Sequence, residues 1–589
     1  MKKILRYIIG VTLATAVLSC DFLGKPPGVD VTEDDVFSSK VNVEAFLASI
    51  YQRGIHSNYG YGILNNAGND TTNPDLCPWS ARSDESEQCA PWYEPNTWNA
   101  GAVSPDSPDD SRWNMRWQAI RKITVMLKRV GDVPDISEEY AAQLVAECKV
   151  IRALNYLELL KFYGGVPIIR EYIDVSQNLK IPRSSVEEVV EFIVKDCEDA
   201  IPALPPRQLG NLRGRVDQGA AYAIRSKALL YAASPLFNTA VPYLDFGQHN
   251  NLICYGNEDP ERWVRAAEAA NDCLEWASAN GCTLIESEGD AENHRYAWET
   301  YDNSEIILAE KAHTICGRWT WPWSAISPPT VYSGNAGQSG LTVTLNHVRK
   351  YEKKDGTPQT WNISGGNDLQ AKMEQLDPRF ESCIVGNRGK WNDEVPTLFM
   401  HQGGKHEDTC YGGFWLHKHY PSIINDQVYE YTPNSTLFQL NEVYLSYAEA
   451  MNEAYGPDDK AGYAMSARDA VNRIRSRSGM PNVTGASDKD SFREKVRHER
   501  DIELAFDNHR FWDIRRWMIA EDTEDPQTWA WGIMKGNMWG IKIYEIPGSS
   551  EFRYEPYVFE TRTFTRKHYL HPFSTNEINK GYLVQNPGY

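Results

Sequence analysis

The 589-residue chain is most informative at first for what it lacks. It has no excess of positive charge: 80 acidic residues against 60 basic ones leave a formal net charge of −20. A field of that sign repels phosphate backbones and anionic headgroups, which argues against a nucleic-acid partner. None of the 11 cysteines forms a CxxC pair, so neither a zinc ribbon nor a thioredoxin-like dithiol is supported. HExxH, GxSxG, GxxxxGKS/T and GxGxxG are all missing, which removes the common metalloprotease, esterase, P-loop and dinucleotide signatures. No run reaches the roughly 20 apolar residues that a membrane-crossing helix needs.

What is present begins with the N-terminus. "MKKILRYIIGVTLATAVLSC" carries Lys2, Lys3 and Arg6, then an apolar run from Ile8 to Leu18, then Cys20. The run is too short to span a bilayer and reads as a secretory signal over 1–19. "VLSC" resembles a bacterial lipobox, in which the cysteine becomes the lipidated first residue. That compartment permits disulfides, and one between Cys77 and Cys89 would close a loop. Cys148, Cys197 and Cys273 fall inside helical patterns and are expected as small buried side chains.

From about 112 to 280 the chain reads as helices. Ser137 is placed to cap a helix in which Leu144, Cys148, Ile151 and Leu154 keep a 3.6-residue period and Gly164, Gly165 and Pro167 end it. Ser185 and Glu188 have the spacing of a capping box, and Pro202 stops that helix. Asp217 and Asp259 are further expected caps, with Pro260 at a first helical position and Gly281 as terminator. Helices return over 438–517, where Ala448, Ala450, Ala467 and Ala470 allow close helix approach. Paired helices of this texture resemble a tetratricopeptide-type array.

Two stretches break the pattern, 54–108 and 286–433. They are rich in Gly, Pro, Asn and aromatic residues. Their aromatic content argues against disorder, and long irregular segments of this kind are more often functional loops.

Several segments together resemble the SusD/RagB family of surface lipoproteins: "RALNYLELLKFYGGVPII" at 152–169, "RSSVEEVVEFIVKDCEDAIPALP" at 183–205, "GAAYAIRSKALLYAASPLFN" at 219–238, "NEVYLSYAEAMNEAYG" at 441–456, "VRHERDIELAFDNHRFWDIRRW" at 496–517 and the ending at 570–589. The resemblance implies a mainly α fold, with four tetratricopeptide-like helix pairs scaffolding a loop-rich region with short strands. It implies one domain over 20–589, facing outward from the outer membrane as a lid on a SusC-like TonB-dependent transporter. It implies capture of oligosaccharide or polysaccharide, or in some members of peptide, without catalysis and without a cofactor. Some members carry calcium, but no DxDxDG loop places an ion here. Paired carboxylates need not be close in sequence, so a surface glycosidase stays open as a reading from another class.

Within "HRFWDIRRW", Phe511, Ile514 and Trp517 fall near one helix face and Asp513 lies three residues from both Arg510 and Arg516, which reads as scaffold. The candidate ligand residues lie in the irregular regions. In "RWTWPWSAISPPTVYSG", Trp319, Trp321 and Trp323 share one face if the segment is extended, with Tyr332 following. Indole planes can cover the apolar C–H face of a sugar ring while nearby polar groups bond its hydroxyls. Asp70, Trp79, Arg82, Trp92 and Trp98 in the other region are the expected partners. His401, His406, His417 and His419 cluster loosely in sequence as a weaker metal candidate.

Overall fold

The computed structural model describes residues 32–55, 79–89, 94–174, 176–311, 340–407, 411–419, 434–525 and 527–589. Cys20, Asp70, Cys77, Trp92, Trp319, Trp321, Trp323 and Tyr332 lie outside these residues.

The principal helices are α1 (Lys40–Gly54), α2 (Trp113–Arg129), α3 (Glu138–Tyr163), α4 (Val186–Ala200), α5 (Gln218–Ala233), α6 (Glu261–Ala279), α7 (Asp290–Glu299), the single turn α8 (Leu345–Val348), α9 (Leu440–Tyr455), α10 (Ala467–Arg477), α11 (Lys489–Glu503) and α12 (Arg510–Arg516). Their ends follow local chemistry. The Ser137 side chain accepts from Tyr140 N, and Gly164 leaves α3 at φ 74°. Ser185 and Glu188 form the expected capping box. Asp217 caps α5 by accepting from Ala220 N. The α6 boundary differs by one residue: Pro260 occupies the cap, and Asp259 Oδ1 still accepts from Glu261 N at 3.0 Å.

From α1 to α6 consecutive helices pack on one another, and α9 then packs on α5 and α6 before α10 and α11. This order fits an array of helix pairs. Small residues let the backbones approach: Ala448, Ala450, Ala467 and Ala470 are all buried. Gly219 shows how close the approach is, since a Cβ there would sit 2.1 Å from the Trp276 ring across the α5–α6 contact. Cys148, Cys197 and Cys273 are buried, unbridged thiols inside this core.

A second, smaller core is built on two four-stranded sheets. β1 (Ser86–Gln88), β3 (Leu341–Val343), β4 (Ile384–Val385) and β5 (Trp415–Leu416) form a sheet in the order β1-β3-β5-β4. β7 (Thr523–Glu524), β8 (Trp531–Gly532), β9 (Gly536–Glu545) and β10 (Phe552–Arg562) form another, ordered β10-β9-β8-β7. β2 (Ile306–Lys311) pairs with β6 (Asn434–Gln439). Tyr351, Trp391 and Trp415 are fully buried at this second core. Among the described residues no helix is long and apolar enough to cross a membrane.

Candidate functional site

Two strand pairs bring together residues that flank the aromatic-rich stretches of the sequence. β2 pairs antiparallel with β6 and ends at Lys311 opposite Asn434. β1 pairs antiparallel with β3, Gln88 opposite Leu341, and Cys89 N donates to Gly340 O at 3.3 Å. Lys311 therefore lies beside Asn434, and Gly340 beside Cys89.

Next to that second pair lies a half-exposed aromatic ledge. Residues 411–412 run between β3 and β9: Gly412 N donates to Thr342 Oγ1 at 2.8 Å, and Ile541 N donates to Gly412 O at 3.2 Å. Gly540 permits this, because a Cβ there would stand 1.9 Å from Tyr411 O. Tyr411, 39% exposed, stacks on Phe559 with centroids 6.1 Å apart and planes 19° apart. Phe559 is free to do so because the β9–β10 register shifts there. Val558 faces Trp539 and Glu560 faces Met538, which leaves Phe559 as the extra residue of a bulge. Tyr557 Oη donates to Tyr411 O at 2.9 Å and holds the segment down. Burial, with Cys89 and Glu87 nearby, raises the Tyr411 phenol above its usual range, so it stays a neutral donor and acceptor. Sequence reasoning missed Tyr411 and Phe559. The bulge that re-aims Phe559 depends on strand register, which "YEPYVFET" does not disclose.

Three expected ligand residues are corrected by the structure. Trp79 is fully buried, packed against Phe511, Trp512 and Phe162 at 4.8, 5.2 and 5.6 Å, and its backbone N donates to Asn508 Oδ1 at 2.7 Å. Arg82 is buried over the Trp79 ring at 4.2 Å and forms a two-pronged pair with Asp109, both bonds 2.9 Å. Trp98 is buried between Phe511 at 4.9 Å and His571 at 5.1 Å. All three seal the junction of α3, α12 and the C-terminal segment. More generally, every described tryptophan is buried or half-buried, and Trp92, Trp319, Trp321 and Trp323 lie outside the described residues.

The four clustered histidines turn to separate partners. His417 Nε2 meets Trp391 O at 2.8 Å, His419 Nε2 meets Asp507 Oδ1 at 3.1 Å, His406 Nδ1 accepts from Phe399 N at 3.0 Å, and His401 Nδ1 lies 3.1 Å from Gln402 O.

Two family models match the chain. One, described as the SusD family, matches residues 305–589. The other, described as starch-binding and associating with the outer membrane, matches residues 21–230. A SusD-like protein P25 of Formosa agariphila is 23% identical over 539 residues, covering 88% of this chain and 91% of its own. The crystal structure of a SusD-like protein from Bacteroides fragilis matches with a TM-score of 0.75 and 25% identity, over 96% of this chain and all of that one. Surface glycan-binding protein A from Bacteroides fluxus matches with a TM-score of 0.59 and 19% identity, over 94% of this chain and all of that one, and shares the fold. With the helical array, the strand-built second core and both family models in agreement, the chain belongs to the SusD/RagB family.

Proposed function

We propose that this protein captures oligosaccharide or polysaccharide at the cell surface and passes it, uncleaved, to a SusC-like TonB-dependent transporter. The observation that carries this reading is the Tyr411–Phe559 ledge beside the stem of the tryptophan-rich segment 312–339. Stacked, half-exposed rings offer apolar planes to sugar C–H faces, and Tyr411 adds a hydroxyl for hydrogen bonding. The glycan-binding relative from Bacteroides fluxus, with the same fold, supports the ligand class. Trp319, Trp321, Trp323, Tyr332 and Asp70 remain the proposed extension of the platform.

The test is a screen of purified residues 21–589 against a polysaccharide panel, followed by single substitutions. Tyr411→Ala, and at least one of Trp319→Ala, Trp321→Ala and Trp323→Ala, should lose about 30-fold in affinity, the size of a 2 kcal/mol hot spot, with little change in melting. Long incubation with the bound glycan should release no new reducing ends. Wild-type affinity in all four variants would remove the platform, and turnover would move a glycosidase to first place.

Surface attachment is proposed to run through Cys20. Cys20→Ala should shift the protein from the membrane fraction to the soluble fraction on cell fractionation. Equal membrane retention would disprove the anchor.

A further inference from the structure

One cluster takes no part in the aromatic ledge. Glu85 lies in the turn before β1, His347 on α8 and Asp501 on α11, and all three are buried. One ligand atom from each lies within 4.8 Å of the other two, and among the described residues this is the one such group of His, Cys, Asp or Glu side chains.

Its hydrogen bonding is incomplete in a particular way. Neither ring nitrogen of His347 has a hydrogen-bond partner, although the ring is held edge-on to Tyr351 at 5.4 Å and Phe506 at 5.0 Å. Nδ1 points toward Asp501 Oδ1 at 3.9 Å, too far for a hydrogen bond. Asp501 Oδ1 has no hydrogen bond either and stands 3.3 Å from Arg510 Nε, while Oδ2 takes Lys350 Nζ at 2.7 Å. Glu85 Oε1 accepts from Phe506 N at 2.8 Å and Oε2 from Ser83 Oγ at 3.2 Å, leaving each oxygen a second lone pair.

Charge leaves room for a cation. Asp84 binds Arg510 at 2.8 and 2.9 Å and Lys350 at 2.6 Å. Burial raises all three carboxyls, but Arg510 and Lys350 outweigh it at Asp84 and Asp501. Glu85, bonded only to Ser83 and Phe506 N, is instead pushed up to about 8 and lies beside the unbonded imidazole, where a divalent ion would displace its proton. Buried polar groups of this kind need a partner, and buried charges need pairing or a metal.

We propose that Glu85, His347 and Asp501 hold one divalent transition-metal ion of the manganese-to-zinc class. Two carboxylate oxygens and one imidazole nitrogen suit that class, whereas calcium favours an all-oxygen shell. Bonds of about 2.1 Å put the ligand atoms of one tetrahedral ion roughly 3.4 Å apart, so these three side chains must draw together when the ion binds. The ion ties the β1–β3 stem to helix α11: Thr344 N donates to Glu85 O at 3.2 Å, and Ser86 faces Val343. It is a structural pin beneath the strand pair that flanks the ledge, without a catalytic role.

The test uses the purified full chain, stripped with chelator and then titrated separately with Co²⁺, Zn²⁺, Mn²⁺ and Ca²⁺. Elemental analysis should give one transition ion per chain, with a saturable rise in melting temperature. His347→Gln should weaken binding at least about 10–100-fold, the loss that even outer partners of a ligand produce. Because that variant changes a buried site, pulsed EPR on Mn²⁺-loaded wild type is the second measurement, and it should detect coupling to an imidazole nitrogen. Failure to retain a stoichiometric ion, binding unchanged in His347→Gln, a response to Ca²⁺ alone, or no nitrogen coupling would each overturn the assignment.

Discussion

Arg516→Ala should cost the fold at least about 3–5 kcal/mol, the usual consequence of breaking a buried ion pair from one side. Arg516 is fully buried, and its Nη1 and Nη2 donate to Glu449 Oε1 and Oε2 at 2.6 Å each. Its Nε donates to Asp513 Oδ1 at 2.7 Å and Nη1 to Ser234 Oγ at 2.9 Å. One side chain therefore joins the end of α5, the middle of α9 and its own helix α12. Removing it leaves Glu449 buried with only the Trp517 Nε1 bond at 2.7 Å, and takes from Asp513 one of its two guanidinium partners, the other being Arg500 at 2.7 Å.

The pH dependence identifies the cause. Burial pushes the Glu449 carboxyl up, but the charge and hydrogen bonds of Arg516 outweigh it and hold the group below its usual range. A depressed carboxyl contributes stability above about pH 4, and that contribution is lost as pH falls through the folded value. In Arg516→Ala burial prevails and the sign reverses. A protonated Glu449 costs less to bury, so the variant's deficit should shrink between pH 7 and pH 4.5. Chemical denaturation of both proteins at the two pH values measures this. The double variant Arg516→Met/Glu449→Leu should recover much of the loss, because the stranded charge is gone. A deficit below about 1 kcal/mol at pH 7, or one that does not change with pH, would mean the pair matters only as packing.

That network also marks how far the sequence could be read. Helix starts were legible because they are local: Ser137, Ser185 and Asp217 each bond a backbone N–H three residues on. "HRFWDIRRW" was legible as scaffold, since Phe511, Ile514 and Trp517 are all buried. Of its two offered pairings for Asp513, only Arg516 occurs. Arg510 reaches Asp84 instead, a residue 426 positions away. The same limit applied to the ligand residues. Trp79 starts a single 3-10 turn and Trp98 lies in the short helix Glu94–Asn99, and nothing in their neighbourhood sequence announces that α3, α12 and the C-terminal segment close over them. Tyr411 drew no notice because its exposure follows from the approach of residues 411–412 to Gly540 and from a bulge in a distant strand. Loop composition reports that a segment is irregular; whether its aromatic rings face in or out is decided by tertiary contacts.

Trp79→Ala should accordingly behave as a core truncation. Large-to-small changes of a buried tryptophan cost roughly 3–5 kcal/mol, because transfer energy is lost and a cavity remains. Here the cavity would open among Phe162, Phe511, Trp512 and His571, rings already fixed by one another and by α3 and α12, so little collapse is available. Arg82 adds to the loss. Its guanidinium lies 4.2 Å over the indole, a contact worth about 2 kcal/mol when desolvated. The Asp109 pair would keep the charge satisfied, so the variant should fold at low temperature and unfold early. Trp79→Phe, which refills most of the space, should recover a substantial part of the stability. Glycan affinity of the folded fraction, measured well below the melting transition, should match wild type for both variants, in contrast to Tyr411→Ala. If Trp79→Ala instead melts as wild type and loses ligand, the indole contributes to binding after all. The burial of Trp79 leaves no ring face to offer a sugar, so the expected outcome is the opposite one: a destabilised protein whose folded molecules bind normally.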